Sequence, residues 1–193
     1  MLRDVSLPEI ANSLRATVGQ RPVVFEAYTR DAPSASDTAA AVKSAVTNGA
    51  DALIVTINPQ WLYGRLCLDV SPPHARYACL LEVAPVTGDD AIVGLGEQVA
   101  ATGLPAVFVL MPTSVDALED PELAEPIAVA NARLKALLPV DNDQVTVVDE
   151  RLTAGREEFR EGVGFYDMVH ATPAGAEQLA GALAGELLRV VQD

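Results

Sequence analysis

The chain has 193 residues, half of them apolar, which suits one domain with a real core and excludes wholesale disorder. Acidic residues outnumber basic ones 27 to 13, a formal charge of −14, and a field of that sign repels phosphate backbones and argues against nucleic-acid binding. No apolar run approaches the ~20 residues of a membrane span, and Met1-Leu2-Arg3-Asp4 opens without the apolar stretch of a signal peptide.

Helices and strands alternate along the chain. Leu7, Ile10, Leu14 and Val18 share one helical stripe, with Ser6 and Glu9 as a capping box and Pro8 in the first turn, which predicts a helix over 7–18. Residues 23–28 read as a strand. A second helix is expected from Asp37 to Thr47, with Asn48-Gly49 ending it. The apolar run 52–57 has the pattern of a parallel strand covered on both faces. A helix over 89–102, a strand over 105–111, a helix over 121–138, a strand over 145–148 and a last helix over 173–191 follow. The alternation predicts a three-layer α/β/α domain with a parallel sheet. The order starts with a helix, one strand short of a doubly wound domain.

Residues 62–86 break the pattern and are expected to leave the main layers as a hairpin or loop. Cys67 and Cys79 are symmetric about Pro73, so a hairpin there brings them opposite each other for a bridge. Two buried free thiols are the alternative. Gly94-Leu95-Gly96 and its neighbours mimic a dinucleotide fingerprint, but the required strand is missing and tight helix packing explains the glycines. Glu157, Glu158 and Glu161 near Arg156 and Arg160 read as a solvated loop face.

The chemically informative segment is Gly164-Phe165-Tyr166-Asp167-Met168-Val169-His170-Ala171-Thr172-Pro173-Ala174-Gly175, between the last strand and the last helix. In a turn, a spacing of three lets the Asp167 carboxylate reach the His170 imidazole, fix its tautomer and stabilise its protonated form. The plainer alternative makes Asp167 a turn cap and His170 a hydrogen-bonded structural residue.

Asp-x-x-His, Thr-Pro-x-Gly and an Ala/Leu-rich terminal helix together resemble the last block of the SGNH, or GDSL, hydrolase superfamily. Val145 to Asp149 is similar to that family's last strand, and Asn131-Ala132-Arg133-Leu134 to its penultimate helix. Thr56-Ile57-Asn58-Pro59 stands where the family has Gly-x-Asn-Asp, keeping only Asn58. Asn58-Pro59-Gln60-Trp61 also resembles a segment of the D-alanine-transfer proteins of lipoteichoic acid, an SGNH-like branch. The family's Gly-Asp-Ser block has no matching strand here; Asp4 and Ser6 echo it with one residue between.

The resemblance implies a flavodoxin-like, SGNH-type fold in a single domain over 1–193 that lacks the first strand. It implies a serine esterase or O-acyltransferase working through an acyl-serine, on an ester of a small molecule or of a cell-envelope glycan or polymer. His170 would be the base, Asp167 its orienting acid, Asn58 an oxyanion donor and Ser6 the nucleophile. Ser34 and Ser36 stand behind Ser6, which is equally explained as a cap. No metal or cofactor is implied. A membrane acyltransferase is a conceivable partner.

The alternatives are an inactive SGNH-like accessory domain of an acyl-transfer system and an unrelated flavodoxin-like domain. The compartment stays open. The missing signal peptide points inside, while the cysteine pair and the envelope resemblance tilt toward an extracytoplasmic protein, the soluble part of a longer chain.

Overall fold

The computed structural model describes residues 34–57, 75, 89–110, 112–140 and 142–192. The first described element is helix α1 (Ala35–Thr47), which starts two residues before the expected Asp37. The cause is a reciprocal cap. The Ser34 hydroxyl accepts the Asp37 amide at 3.2 Å, and the Asp37 carboxylate accepts the Ser34 amide at 3.1 Å. At the other end Asn48 keeps an ordinary φ of −83°, and Gly49 alone takes the left-handed conformation, at φ +84°.

Three strands follow: β1 (Leu53–Ile57), β2 (Ala106–Leu110) and β3 (Val145–Val148). They form a parallel sheet in the order β1-β2-β3, with Ile57 opposite Leu110 and Val109 opposite Val148. Every residue of β2 is buried, as its unbroken apolar sequence requires of a central strand covered on both faces. Parallel neighbours need long crossovers. Helix α2 (Asp89–Ala100) joins β1 to β2, while α3 (Val115–Glu119) and α4 (Ala124–Leu137) join β2 to β3. The last helix, α5 (Pro173–Gln192), follows β3.

The side-chain alternation of the strands divides the core. Val55, Ile57, Phe108 and Val147 meet Val42 of α1, Ile92, Leu95 and Val99 of α2, and Leu134 of α4. Val107, Val109 and Val148 point the other way, onto Leu179, Leu183 and Leu187 of α5 and onto Phe159 and Phe165 of the loop before it. The molecule is therefore mixed α/β, with helices packed against both faces of a parallel sheet.

Two expectations need correction. The helix expected over 121–138 is α4, which begins three residues later at Ala124 and ends at Leu137, and the short α3 before it was not expected. Ser114 caps α3, its hydroxyl accepting the Ala117 amide at 3.2 Å. Asp120 then leaves the helical region at ψ 118°, where the following Pro121 favours extended backbone. The helix expected over 89–102 ends at Ala100. It contains both Gly94 and Gly96, and a Cβ on Gly96 would stand 2.8 Å from Pro139 Cδ, so close packing accounts for that glycine. The expected helix 7–18, the strand 23–28 and the Cys67–Cys79 bridge lie outside the described residues, as does the 62–86 hairpin apart from Ala75.

Candidate active site

β3 brings the chain to the C-terminal edge of the sheet, and residues 149–172 run along that edge before α5 begins. The loop is anchored by its aromatics. Phe159 and Phe165 are fully buried and meet edge to face, with ring centroids 6.2 Å apart. The Arg156 guanidinium lies 4.6 Å above the Phe159 ring. Gly162, at φ +79°, makes the turn between them and donates its amide to the Phe165 carbonyl at 2.7 Å. Beyond Phe165 the Tyr166 amide donates to the His170 carbonyl at 2.7 Å, and Phe165 bridges to Ala171. Residues 166–170 thus form a closed turn on an apolar foot.

Inside that turn Asp167 does two jobs. Its Oδ1 accepts the amides of Val169 at 3.0 Å and His170 at 2.9 Å. Its carboxylate also meets His170 Nδ1, at 2.9 Å from Oδ1 and 2.7 Å from Oδ2. Both expected roles of Asp167, cap and imidazole partner, are present at once. Partial burial pushes its carboxyl up, but the Val169 amide and the His170 ring and amide outweigh this and hold it below the usual carboxylate range. The two side chains are 55% and 56% exposed. An ion pair so open to water adds little stability; what it fixes is the orientation of the ring. With Nδ1 facing the carboxylate, Nε2 is the nitrogen left to take a proton.

Thr172-Pro173-Ala174-Gly175 has a mechanical cause. The Thr172 hydroxyl caps α5 by accepting the Gly175 amide at 3.1 Å, and it donates to the Val163 carbonyl at 2.9 Å. The Thr172 amide donates to the Gly164 carbonyl at 2.9 Å. Pro173 occupies the first helical position, where its missing amide costs nothing. Gly175 lies directly against the Gly164 carbonyl, with no room for a side chain.

The 156–161 charges are more than a solvated face. Arg160 reaches Asp116 at 3.1 Å and Glu119 at 3.0 Å, both on α3, as well as Glu157 at 2.7 Å. The Glu161 amide donates to Asp116 Oδ2 at 2.7 Å. Ser114, fully buried at the exit of β2, donates its hydroxyl to Glu161 Oε1 at 3.0 Å and its amide to the Met168 carbonyl at 2.8 Å. Sequence reasoning missed Ser114 and Asp116; a Ser-x-Asp a few residues after an apolar strand was the available sign of a helix start.

The near end of the loop is pinned separately. The buried Asn131 donates to Glu150 Oε2 at 2.6 Å, and Asp149 pairs with Arg151 at 2.6 Å and Lys135 at 3.4 Å. Burial pushes the Asp149 carboxyl up, and the Arg151 contacts more than reverse this, leaving it lowered.

Of the residues singled out in the sequence, Asp167 and His170 come together. Ser6 and Asn58 lie outside the described residues; β1, which leads to Asn58, ends at Ile57 on the same C-terminal edge of the sheet. Ser34 and Ser36 are engaged at the α1 cap, with Ser34 Oγ 2.7 Å from Asp37 Oδ2 and 2.8 Å from Ser36 Oγ. Among the described residues no helix is long and apolar enough to cross a membrane. Comparison with known proteins finds no matching family model, curated protein or solved structure.

Proposed function

We propose that the chain is a three-layer, flavodoxin-like domain of SGNH type acting as a serine esterase or O-acyltransferase, on a cell-envelope glycan or polymer ester. The observation that carries this is the Asp167–His170 pair, with the carboxylate at Nδ1, 2.7 Å away, on the C-terminal edge of a parallel sheet. That edge is where open α/β domains place their sites. The placement of α1, α2 and α4 on one sheet face and α5 on the other supports the layered fold.

In this mechanism Ser6 Oγ attacks the acyl carbonyl while His170 Nε2 takes its proton. Asp167 holds the ring and stabilises the imidazolium. Asn58 and the first amides of the helix expected over 7–18 bind the oxyanion. Collapse of the tetrahedral intermediate expels the alcohol, which takes the proton from His170, and leaves the acyl group on Ser6. Water or an acceptor hydroxyl then attacks the acyl carbon while His170 takes its proton, and collapse expels the Ser6 oxygen, which takes that proton back from His170 and regenerates both groups.

Asn58-Pro59, standing where the family has Asn-Asp, favours a second reading: an inactive accessory domain of an acyl-transfer system. A fluorophosphonate probe separates the two. Labelling that is lost in both Ser6→Ala and His170→Ala is expected of the enzyme. An unlabelled, folded protein rejects the enzyme and leaves the accessory domain.

A further inference from the structure

From the β2–α3 junction we propose a positioning role: Asp116, with Ser114, clamps the loop that carries His170 and Asp167 and sets where that pair stands on the sheet edge. The proposal rests on the hydrolase reading for its catalytic consequence, but not for the clamp itself.

The pair is internally closed, because Asp167 binds the His170 ring and backbone within one turn. Nothing in that turn fixes its place relative to β1 and β2, yet a base must stand within about 3 Å of the hydroxyl it serves. The aromatic foot seats the loop on the core, and the polar contacts that hold its middle and the turn from outside converge on residues 113–116. The Thr113 carbonyl accepts the buried Thr153 hydroxyl at 2.6 Å, fixing the loop near its start. Asp116 grips its middle with both oxygens. Oδ2 takes the Glu161 amide at 2.7 Å, and Oδ1 takes the Arg160 guanidinium at 3.1 Å. Ser114 holds it twice more, at Glu161 through its hydroxyl and at the Met168 carbonyl through its amide. Met168 directly follows Asp167, so this last bond acts on the pair itself.

The junction is well placed for the task. Ser114 is fully buried, four residues beyond the end of a fully buried central strand, and it caps α3. The Glu161 amide, followed by Arg160, holds the Asp116 carboxyl below its ordinary range despite some desolvation, so the charged form that makes these bonds persists to acidic pH. Glu119 and Glu157 share the Arg160 guanidinium with Asp116, and the Glu161 carboxylate, whose own amide Asp116 accepts, takes the Ser114 hydroxyl.

The test compares Asp116→Ala and Asp116→Asn with the unaltered protein, by amide hydrogen exchange and by ester hydrolysis. In Asp116→Ala the Ser114 amide, bonded to Met168, is expected to exchange about 10-fold faster or more, while Phe108 in β2 and Leu183 in α5 keep their protection. A purely structural loss would lower protection throughout. Hydrolysis should lose about 10- to 100-fold in kcat with KM nearly unchanged, since a displacement on the scale of 1 Å is enough for that. Asp116→Asn keeps an oxygen for the Glu161 amide and should restore a substantial part of both. If Asp116→Ala does not fold, Glu161→Ala, which removes the acceptor of the Ser114 hydroxyl, is read in its place for the same local exchange. Unchanged exchange at Ser114 overturns the clamp. Faster exchange with unchanged kcat overturns the positioning role. Absence of hydrolysis in the unaltered protein rejects the esterase reading instead, and exchange alone then decides the clamp.

Discussion

Replacing a glycine of α5 by alanine should change sign with position. Within a helix the exchange is worth about 0.8–1 kcal/mol in favour of alanine. At Gly181 and Gly185, both exposed, an added Cβ meets nothing within 4 Å, so most of that gain should appear. At Gly175 the Cβ would overlap the Gly164 carbonyl oxygen and stand 2.6 Å from its carbon. Neither partner is a flexible side chain, so the backbone has to move. The movement endangers the Thr172 amide bond to Gly164 and the Thr172 cap on Gly175. Each is worth about 1 kcal/mol, and overpacking adds about 1–3 kcal/mol. After subtracting the helical gain, Gly175→Ala should destabilise by about 2–4 kcal/mol. For a chain of this size each kcal/mol shifts Tm by roughly 2–4 °C. Thermal and urea unfolding of the variants should therefore show Gly175→Ala melting about 4–16 °C lower and Gly181→Ala slightly higher. A Gly175→Ala protein as stable as the parent would refute the claim that Thr-Pro-x-Gly is required by the loop–helix contact.

His170→Ala should cut any ester hydrolysis by about 10³-fold or more without altering Tm measurably, since the pair is exposed; unchanged hydrolysis in the variant ends the hydrolase proposal. Phe165→Ala should cost about 3–5 kcal/mol, because the ring is fully buried against Phe159; urea unfolding within 1 kcal/mol of the parent would refute its role as the foot of the turn. Asp167 has a lowered carboxyl in the folded state, so its contribution is complete above the unfolded value of about 3.9 and disappears as pH falls through the lower folded value. Carboxyl-detected NMR titration should place its midpoint below that of a free aspartate; a midpoint at or above it contradicts the bonding described. Thiol counting with and without reductant on protein made in an oxidising compartment decides between a Cys67–Cys79 bridge and two free thiols, and two free thiols there count against the extracytoplasmic reading.

The strands and their parallel pairing were legible because burial on both faces leaves an unbroken apolar run such as Ala106-Val107-Phe108-Val109-Leu110, and little else does. Helix ends were less legible. Ser34 could be recognised as a cap only with Asp37 as its reciprocal partner, and the short α3 carries too few apolar positions for a helical period to emerge. The periodic signal of 124–137 therefore shows alone, and α3 on the other side of Pro121 leaves no pattern of its own.

The candidate site shows a sharper division. Asp167 and His170 could be proposed as a pair because a spacing of three in a turn lets a carboxylate reach an imidazole. Their support could not, since Asp116 and Arg160 are 44 positions apart and Ser114 and Glu161 are 47 apart. No local pattern encodes such contacts; they exist because β2 and β3 are neighbours and both release their loops at the same edge. The charges at 156–161 therefore looked like a solvated face when only their own segment was considered. Placed against α3, the same Arg160 ties that helix to the loop that carries the Asp167–His170 turn. A cluster of mixed charges beside a candidate base, on the edge where parallel strands end, should be tested as support for that base before it is set aside as surface.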